Sequence, residues 1–567
     1  MAEKPKGEIF KNKRRIWSQK GLHSIILFMF VLAKHDKMEY LNRNLRFGII
    51  TDDIKMQQWQ ANVVKTLVAN GLSLSLIIKM QGNEGKSIGK KASFWYRKVS
   101  NRLISSTESQ KTMKLNDYVD ISGIPIKNCI AKVIDNTLYF SENDVQFIEN
   151  QDIDFIIRLC DQPIGGELVN CIRHGIWEFC FHDESAYHDA QPIGFWEFIG
   201  KGYCNVVSLQ RISSNRSKAL ILRKNRYPIL KKSYSDHVEQ ILTECSQMPL
   251  QVCRDIMANG KADDYETSVG KDAKQGLTLG GLLKYLHIRL WRKILGTGKD
   301  INNFDRDIGI AEVPVFDFCN NPDKYRKKVK WLRRKSTGER YSTPLAITTA
   351  NDTYVFFTVA DDKQKSRINM VKKSEDYKKQ HTVLDNGHAL SYPFVFRKDE
   401  GVFCIPQDIE SQQITLYRFD EGSMTMQKDT ILYDGIKAYR PTVVSSNGLW
   451  NLFFGKEGSS DTKLNLLISD DLRGTYTPFF NNPVKTDCRG ALMAGGFIAV
   501  NGKLYRPAFN ESQRCVAIYE VKEISRGSYK EAENETLTIG SLKRSKFGRG
   551  VQCISGNDLI TVVDGMR

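Results

Sequence analysis

The chain has 567 residues, of which 41% are hydrophobic and 26% charged, a globular composition too long for one ordinary core. Its 83 Lys and Arg against 65 Asp and Glu leave a net charge of +18, which turns the surface toward anions such as nucleic acid, acidic lipid headgroups, phosphorylated substrates or acidic glycans. The twelve cysteines form no C-x-x-C pair, so neither a zinc ribbon nor a disulfide framework is signalled, and a reducing, cytoplasmic setting is expected.

Residues 1–43 form a basic and apolar tail. Its run "SIILFMFVLA" (24–33) is ten residues long, too short to span a bilayer. The tail has three readings: an untranslated leader upstream of a true start at Met38, a disordered arm, or a membrane-touching or secretory segment lacking a small-residue cleavage site.

From residue 44 to 230 the texture is α/β. "LRFGIITDD" reads as a buried strand, "MQQWQANVVKTLVAN" as an amphipathic helix, "LSLSLIIKM" as the next strand, and "FSENDVQFIENQ" as a capped helix leading into "DIDFIIRLC". Strand, helix and strand in repetition predict a doubly wound, mostly parallel sheet. The segment "MQGNEGKS" after the second strand resembles a phosphate loop but puts Met80 where glycine is required, and reads as a polar connection.

The stretch "HGIWEFCFHDESAYHDAQPIGFWEFIGKG" (174–202), with "IGGELVNCIRHG" before it and "SLQRI" after it, resembles the core of the formyltransferase family over residues 45–230. Gly175, Pro192, Ile193 and Gly200 keep step with the family's pattern. The resemblance implies an Asn-x-His pair and a later Asp that act on a formyl-folate donor. Here Glu178 takes the Asn slot and Cys180 the His slot, and the later Asp falls near Arg216 or Ser217. An ionised Glu cannot donate a proton to a developing oxyanion, and Cys180 is no equivalent proton carrier. His182 and Asp183 lie beyond those slots as possible substitutes. A bound 10-formyltetrahydrofolate is therefore expected only if this degenerate site (Glu178, Cys180, His182, Asp183) survives. Cys180, His182 and His188 match no standard metal spacing, and no metal is expected.

Residues 231–305 read as a polar, helical connector. In "LLKYLHIRLWRKIL" (282–295), Leu282, Leu283, Leu286, Leu290 and Ile294 fall on one face, with cations on the remainder, so the helix is expected between domains or on an anionic membrane. The segment "KYRKKVKWLRRK" (324–335) carries eight cations interleaved with Tyr325, Val329, Trp331 and Leu332, a pattern expected to pack partly on a neighbouring blade or to meet lipid headgroups. No nucleic-acid reader motif accompanies the charge.

From 306 to 567 one figure recurs. "STPLAITTANDTYVFF" (342–357), "LSYPFVFRKDEGVFCIP" (390–406) and "YRPTVVSSNGLWNLFF" (439–454) place Pro344, Pro393 and Pro441 49 and 48 residues apart. Weaker copies follow at 493–509 and 549–565. Five hairpin units at this spacing predict a five-bladed propeller, since one unit cannot bury its own apolar face.

Together, "LSYPFVFRKDEGVFCIPQ", "DLRGTYTPFFNNPV", "GKLYRPAFNES" and "TVVDGMR" resemble the N-terminal region of glucosamine inositolphosphorylceramide transferases, a propeller akin to five-bladed glycosidase folds. In bacterial relatives this propeller resembles the partner fused behind a formyltransferase-like half. The plant-type transferase carries its catalytic domain after the propeller, so glycosyl transfer by this chain alone is not expected.

Glycosidase propellers present paired carboxylates at the central funnel. The residues before the blade prolines are Thr343, Tyr392 and Arg440, and Asn510 follows "RPAF", so a two-carboxylate hydrolase is not expected. The ligand residues expected at the funnel are Arg440, Arg506, Asp408, Glu511, Asp564 and Arg567. Arg440 and Arg506 either converge on one phosphate or uronate or tie blades together. The combined expectation is a transferase-type protein of cell-surface glycan or glycolipid assembly, handling an anionic sugar, nucleotide sugar or lipid-linked intermediate, cytoplasmic and peripheral to an anionic inner membrane. The alternatives are a catalytically silent carbohydrate-binding scaffold and an amino-sugar N-formyltransferase.

Overall fold

The structure is a computed structural model that describes residues 44–81, 107–134, 137–183, 192–200, 202–213, 218–268, 279–295, 306–336, 338–361, 365–532, 534–540 and 548–566. The tail, most of the phosphate-loop-like segment, His188, Arg216, Ser217 and Arg567 lie outside the described residues.

The upstream domain is built on an eight-stranded sheet. Its strands are β1 (Arg46–Thr51), β2 (Ser73–Met80), β3 (Ile126–Cys129), β4 (Phe155–Arg158), β5 (Ile176–Cys180), β6 (Cys204–Arg211), β7 (Lys218–Pro228) and β8 (Tyr265–Ser268), in the order β8-β7-β6-β5-β4-β1-β2-β3. The five strands from β5 to β3 run parallel, and β6 to β8 extend the sheet antiparallel at one edge. Side chains alternate between two cores. Phe47, Ile49, Phe155, Ile157 and Trp177 face one, while Ile50, Leu76, Ile156 and Ile176 face the other. This two-sided burial is why these strands read as near-continuous apolar runs.

Helix α1 (Gln58–Ala69) covers the first face, opened by a reciprocal cap in which the Gln57 amide donates to Gln60 Oε1 at 2.9 Å. Helix α2 (Glu142–Glu149) covers the second face, capped by Ser141. The connector reading of residues 231–305 is corrected here. Helices α4 (Tyr234–Cys245) and α5 (Met248–Asn259) bury Val238, Ile241, Leu242, Leu250, Val252 and Ile256 in the same core as β1, and β8 joins the sheet. Their polar outer faces lowered the average hydrophobicity and hid a domain's own helices. Helix α6 (Leu279–Leu295) seats Leu282 and Tyr285 against the short helix α3 (Phe195–Ile199) and Tyr234, and leaves Leu283, Leu286 and Leu290 exposed, so the single apolar face read from the sequence is divided between core and surface.

The downstream domain is a five-bladed propeller. Blade one comprises Arg340–Thr348, Thr353–Ala360, Ser366–Lys372 and His381–Leu384. Blade two comprises Leu390–Lys398, Gly401–Asp408, Gln413–Asp420 and Thr425–Asp434. Blade three starts at Ala438–Ser446 and blade four at Leu492–Met493. Blade five joins the two ends of the domain: Gly550–Gly556 and Thr561–Met566 form its inner half, and Arg306–Ala311 and Lys330–Trp331 its outer half. The basic run 324–335 thus supplies that blade's edge strand, with Tyr325, Val329 and Trp331 packed on the apolar core beside it.

The recurring proline marks the same backbone device in three blades. Each inner strand carries a register shift at its proline, and the residue before it is left-handed: Thr343 at φ 50°, Tyr392 at 45° and Arg440 at 50°. That conformation is uncommon for non-glycine residues and runs against the extended backbone that proline imposes on its predecessor. The preceding blade holds each one in place. Thr343 N donates to Asp564 Oδ2 at 2.9 Å, Tyr392 N to Thr343 Oγ1 at 3.2 Å, and Arg440 N to Gln407 Oε1 at 2.9 Å. The ring is completed by Arg440 Nη1 on Met493 O at 2.6 Å, between blades three and four, and Ile554 N on Ala494 O at 2.8 Å, between blades four and five.

Candidate functional site: the propeller axis

Inner strands begin, and second strands end, at one face of the propeller. Arg440 stands in the blade-three bulge, Asp408 ends the second strand of blade two, Glu511 follows Lys503–Asn510, and Arg306 opens the third strand of blade five opposite Met566. Topology therefore brings these four to the same end of the axis.

Arg440 is 6% exposed. Its Nη1 donates to Met493 O at 2.6 Å, and its guanidinium lies over the rings of Tyr392 at 5.6 Å and Phe509 at 5.8 Å. It makes no ion pair within 4.0 Å among the described residues, and burial pushes its pKa down. Arg306 Nε is likewise buried without a hydrogen-bond partner among the described residues. Asp564 is fully buried. Its Oδ2 accepts from Thr343 N, its Oδ1 has no partner among the described residues, and burial lifts its pKa to about 6 although Arg306 and Arg440 pull it down. Burial and Asp461 push the Glu511 carboxyl up against the opposing pull of the same two arginines. The axis therefore holds two guanidinium groups close to two carboxyls whose burial disfavours ionisation.

The other expected ligand residues have different surroundings. Arg506 is fully buried and gives its fork to Glu531, Nε to Oε2 and Nη2 to Oε1, both at 2.8 Å, with Lys485 also on Glu531. Burial pushes the Glu531 carboxyl up, but Arg506 and Lys485 outweigh it and leave its pKa at about 2. Among the described residues Arg506 and Arg440 are linked through Met493, whose sulfur lies 3.7 Å from Arg506 Nη1 and whose carbonyl accepts from Arg440. Asp408 accepts His388 Nδ1 at 2.9 Å, Asn386 Nδ2 at 3.3 Å and Ser411 N at 3.1 Å. Burial raises its pKa, and the bonds to His388 and Ser411 more than reverse this.

In the upstream domain Glu178 pairs with Arg158 of the neighbouring strand at 2.7 Å, and Cys180 Sγ lies 3.3 Å from His182 Nε2. Burial pushes the Glu197 carboxyl up to about 7, and the nearby Asp183 adds to the rise. Cys180 and His182 are thus brought together, while Glu178 is held by a cation.

Sequence reasoning missed Arg306. A signal was present: the last hairpin ends at residue 565, two strands short of a blade, and "RDIGIAEV" (306–313) is the apolar segment able to complete it.

Fold and site define a five-bladed propeller with an arginine-lined axis behind an α/β domain. Residues 337–565 match the family model described as glucosamine inositolphosphorylceramide transferase 1, N-terminal, which the propeller resembles. Relatives bearing that transferase's name include one from Oryza sativa subsp. indica, 26% identical over 208 residues (32% of this chain, 27% of that protein), and one from Arabidopsis thaliana, 24% identical over 200 residues (32% and 26%). The chain thus spans about a quarter of the length of the curated relatives it matches. Both are plant proteins, and none of these matches supports a bacterial setting.

Solved structures similar in part include a thermostable family-43 glycoside hydrolase (TM-score 0.30, 12% identity, 35% of this chain and 76% of that one). Another is the catalytic domain of a Coprinopsis cinerea GH62 α-L-arabinofuranosidase (TM-score 0.32, 10% identity, 41% and 93%).

Proposed function

We propose that the chain is a transferase-type protein of cell-surface glycolipid or glycan assembly, whose propeller binds the phosphate- or carboxylate-bearing part of a sugar, nucleotide sugar or lipid-linked glycan at Arg440 and Arg306. One observation carries the reading. Arg440 is a buried guanidinium whose side-chain hydrogen bond goes to a neutral carbonyl, so its charge remains available to an anionic acceptor. The resemblance of residues 337–565 to a glycolipid transferase region supports the pathway. The acceptor's anion lies against both guanidinium groups, and Asp564 and Glu511 flank it.

The test is calorimetric titration of the intact chain with a uridine-diphosphate sugar and with an inositol phosphate, using a neutral oligosaccharide as control. Arg440→Ala is expected to weaken anion binding at least tenfold while the melting temperature changes little. A large fall in melting temperature with unchanged affinity assigns Arg440 to holding blades together and removes the proposal. A silent binding scaffold differs only in turnover: it binds the sugar nucleotide and leaves it intact.

The formyltransferase alternative is less well supported, because Glu178 is ion-paired to Arg158 where an amide donor is needed. Transfer of a formyl group to an amino-sugar nucleotide, assayed with 10-formyltetrahydrofolate, would restore it.

A further inference from the structure

Helix α6 has two apolar faces. Leu282 and Tyr285 are buried, and Ile288 packs beside them on the upstream core. Leu283, Leu286 and Leu290 point away from that core and are 58%, 37% and 58% exposed. At 100° per residue these three form one stripe along the outer side of the helix. Lys284 and Arg289, both exposed, fall on opposite flanks of the stripe, at the border with the buried face. No acidic residue occurs between positions 279 and 295. No helix among the described residues is long and apolar enough to cross a membrane.

We propose that α6 is a membrane-docking surface: it lies in the plane of an anionic bilayer, with Leu283, Leu286 and Leu290 among the acyl chains and Lys284 and Arg289 on the lipid phosphates. A leucine stripe bracketed by cations is the pattern of an interfacial helix, where apolar insertion and electrostatic attraction act together. Charge complementarity selects the partner, because cations border the stripe on both sides and no acid on the helix repels an anionic surface. The inward Leu282, Tyr285 and Ile288 lock the helix to the domain, so docking orients the whole chain. This inference rests on α6 alone and stands whether or not the axial arginines bind a sugar.

The full chain is tested by sedimentation with vesicles of phosphatidylcholine alone and of phosphatidylcholine mixed with phosphatidylserine, at low and high salt. Binding to the mixed vesicles, weakened by salt, is expected. Each cation at an anionic surface contributes roughly fivefold in affinity, so Lys284→Glu with Arg289→Glu should weaken binding at least tenfold. Leu283→Glu with Leu290→Glu should do the same. These side chains point outward, so neither variant is expected to shift the melting temperature, and uridine-diphosphate-sugar affinity should stay unchanged in both. The proposal is overturned by failure of the wild type to bind mixed vesicles, or by binding that both variants leave intact. Equal, salt-insensitive binding to neutral vesicles also overturns it and assigns attachment to residues 24–33. A wild-type dimer that becomes monomeric in the Leu283→Glu, Leu290→Glu variant assigns the stripe to a second copy of the chain instead.

Discussion

At Asp564 a single carboxyl couples backbone strain to axial charge. One oxygen holds the left-handed Thr343 in place, and burial lifts the pKa to about 6 from an ordinary value of 3.8. A raised acid binds its proton more tightly in the folded state, so it adds stability that is fully present below pH 4 and is lost as pH rises through 6. The difference corresponds to about 3 kcal/mol. Asp564→Asn keeps an oxygen for Thr343 N and cannot ionise. Denaturant unfolding at pH 4.5 and 7 should therefore show that the wild type loses more stability than the variant over this interval, and equal losses would assign the shift elsewhere. An anion placed against Arg306 and Arg440 raises this pKa further, so binding near pH 6.5 takes up a proton. Titrations in two buffers of different ionisation enthalpy measure that uptake, and it should vanish in Asp564→Asn.

The bulged inner strand is the element that the sequence half revealed. Pro344, Pro393 and Pro441 announced the blade spacing, and the alternating apolar runs between them announced the strands. The left-handed residue before each proline was not legible, because local rules predict extended backbone there and only contacts from the preceding blade override them. The same limit hid Arg306, whose neighbours Asp564 and Arg440 lie far along the chain, and it hid α4 and α5, whose membership of the upstream core depends on a sheet completed elsewhere. Arg440 itself was legible from its place before a proline, although its single neutral acceptor was not. Tyr392 shows how the bulges are cross-linked: its hydroxyl lies 3.1 Å from Thr442 Oγ1 in blade three and accepts Gly495 N of blade four at 3.1 Å. Tyr392→Phe keeps the ring and leaves the Gly495 amide buried without that acceptor, for an expected cost of about 1–3 kcal/mol. Urea unfolding checks it, and a change below about 0.5 kcal/mol would show that the ring of bulges is held by packing alone.

Across the whole molecule the two domains meet through the β6–β7 edge and helices α4 and α5. Cys488 N donates to Arg226 O at 3.0 Å, Asn481 Nδ2 to Gln251 O at 3.1 Å, and Lys463 pairs with Glu244 at 2.5 Å. At the centre Asp487, 3% exposed, lies 3.4 Å from Arg226 and 2.9 Å from Arg489. Burial pushes its pKa up, but Lys485, Arg489 and Arg226 outweigh this and hold it below the ordinary carboxylate value. Removing one member of a buried ion cluster typically costs 3–5 kcal/mol, because the opposite charges stay desolvated without their counterion. Part of that cost falls on the interface, since Arg226 belongs to the upstream domain, while Asp487 and its nearer partners Lys485 and Arg489 belong to the propeller. Asp487→Asn is therefore expected to split one cooperative heat-capacity peak into two, with the upstream domain and the propeller melting separately. The depressed pKa gives the same interface a pH dependence: its contribution is complete above pH 4 and falls away as acid protonates Asp487. Wild-type protein warmed at progressively lower pH should reproduce the variant's divided profile. A single peak that merely moves to lower temperature in both experiments would mean that the domains share one cooperative unit held together by more than this cluster.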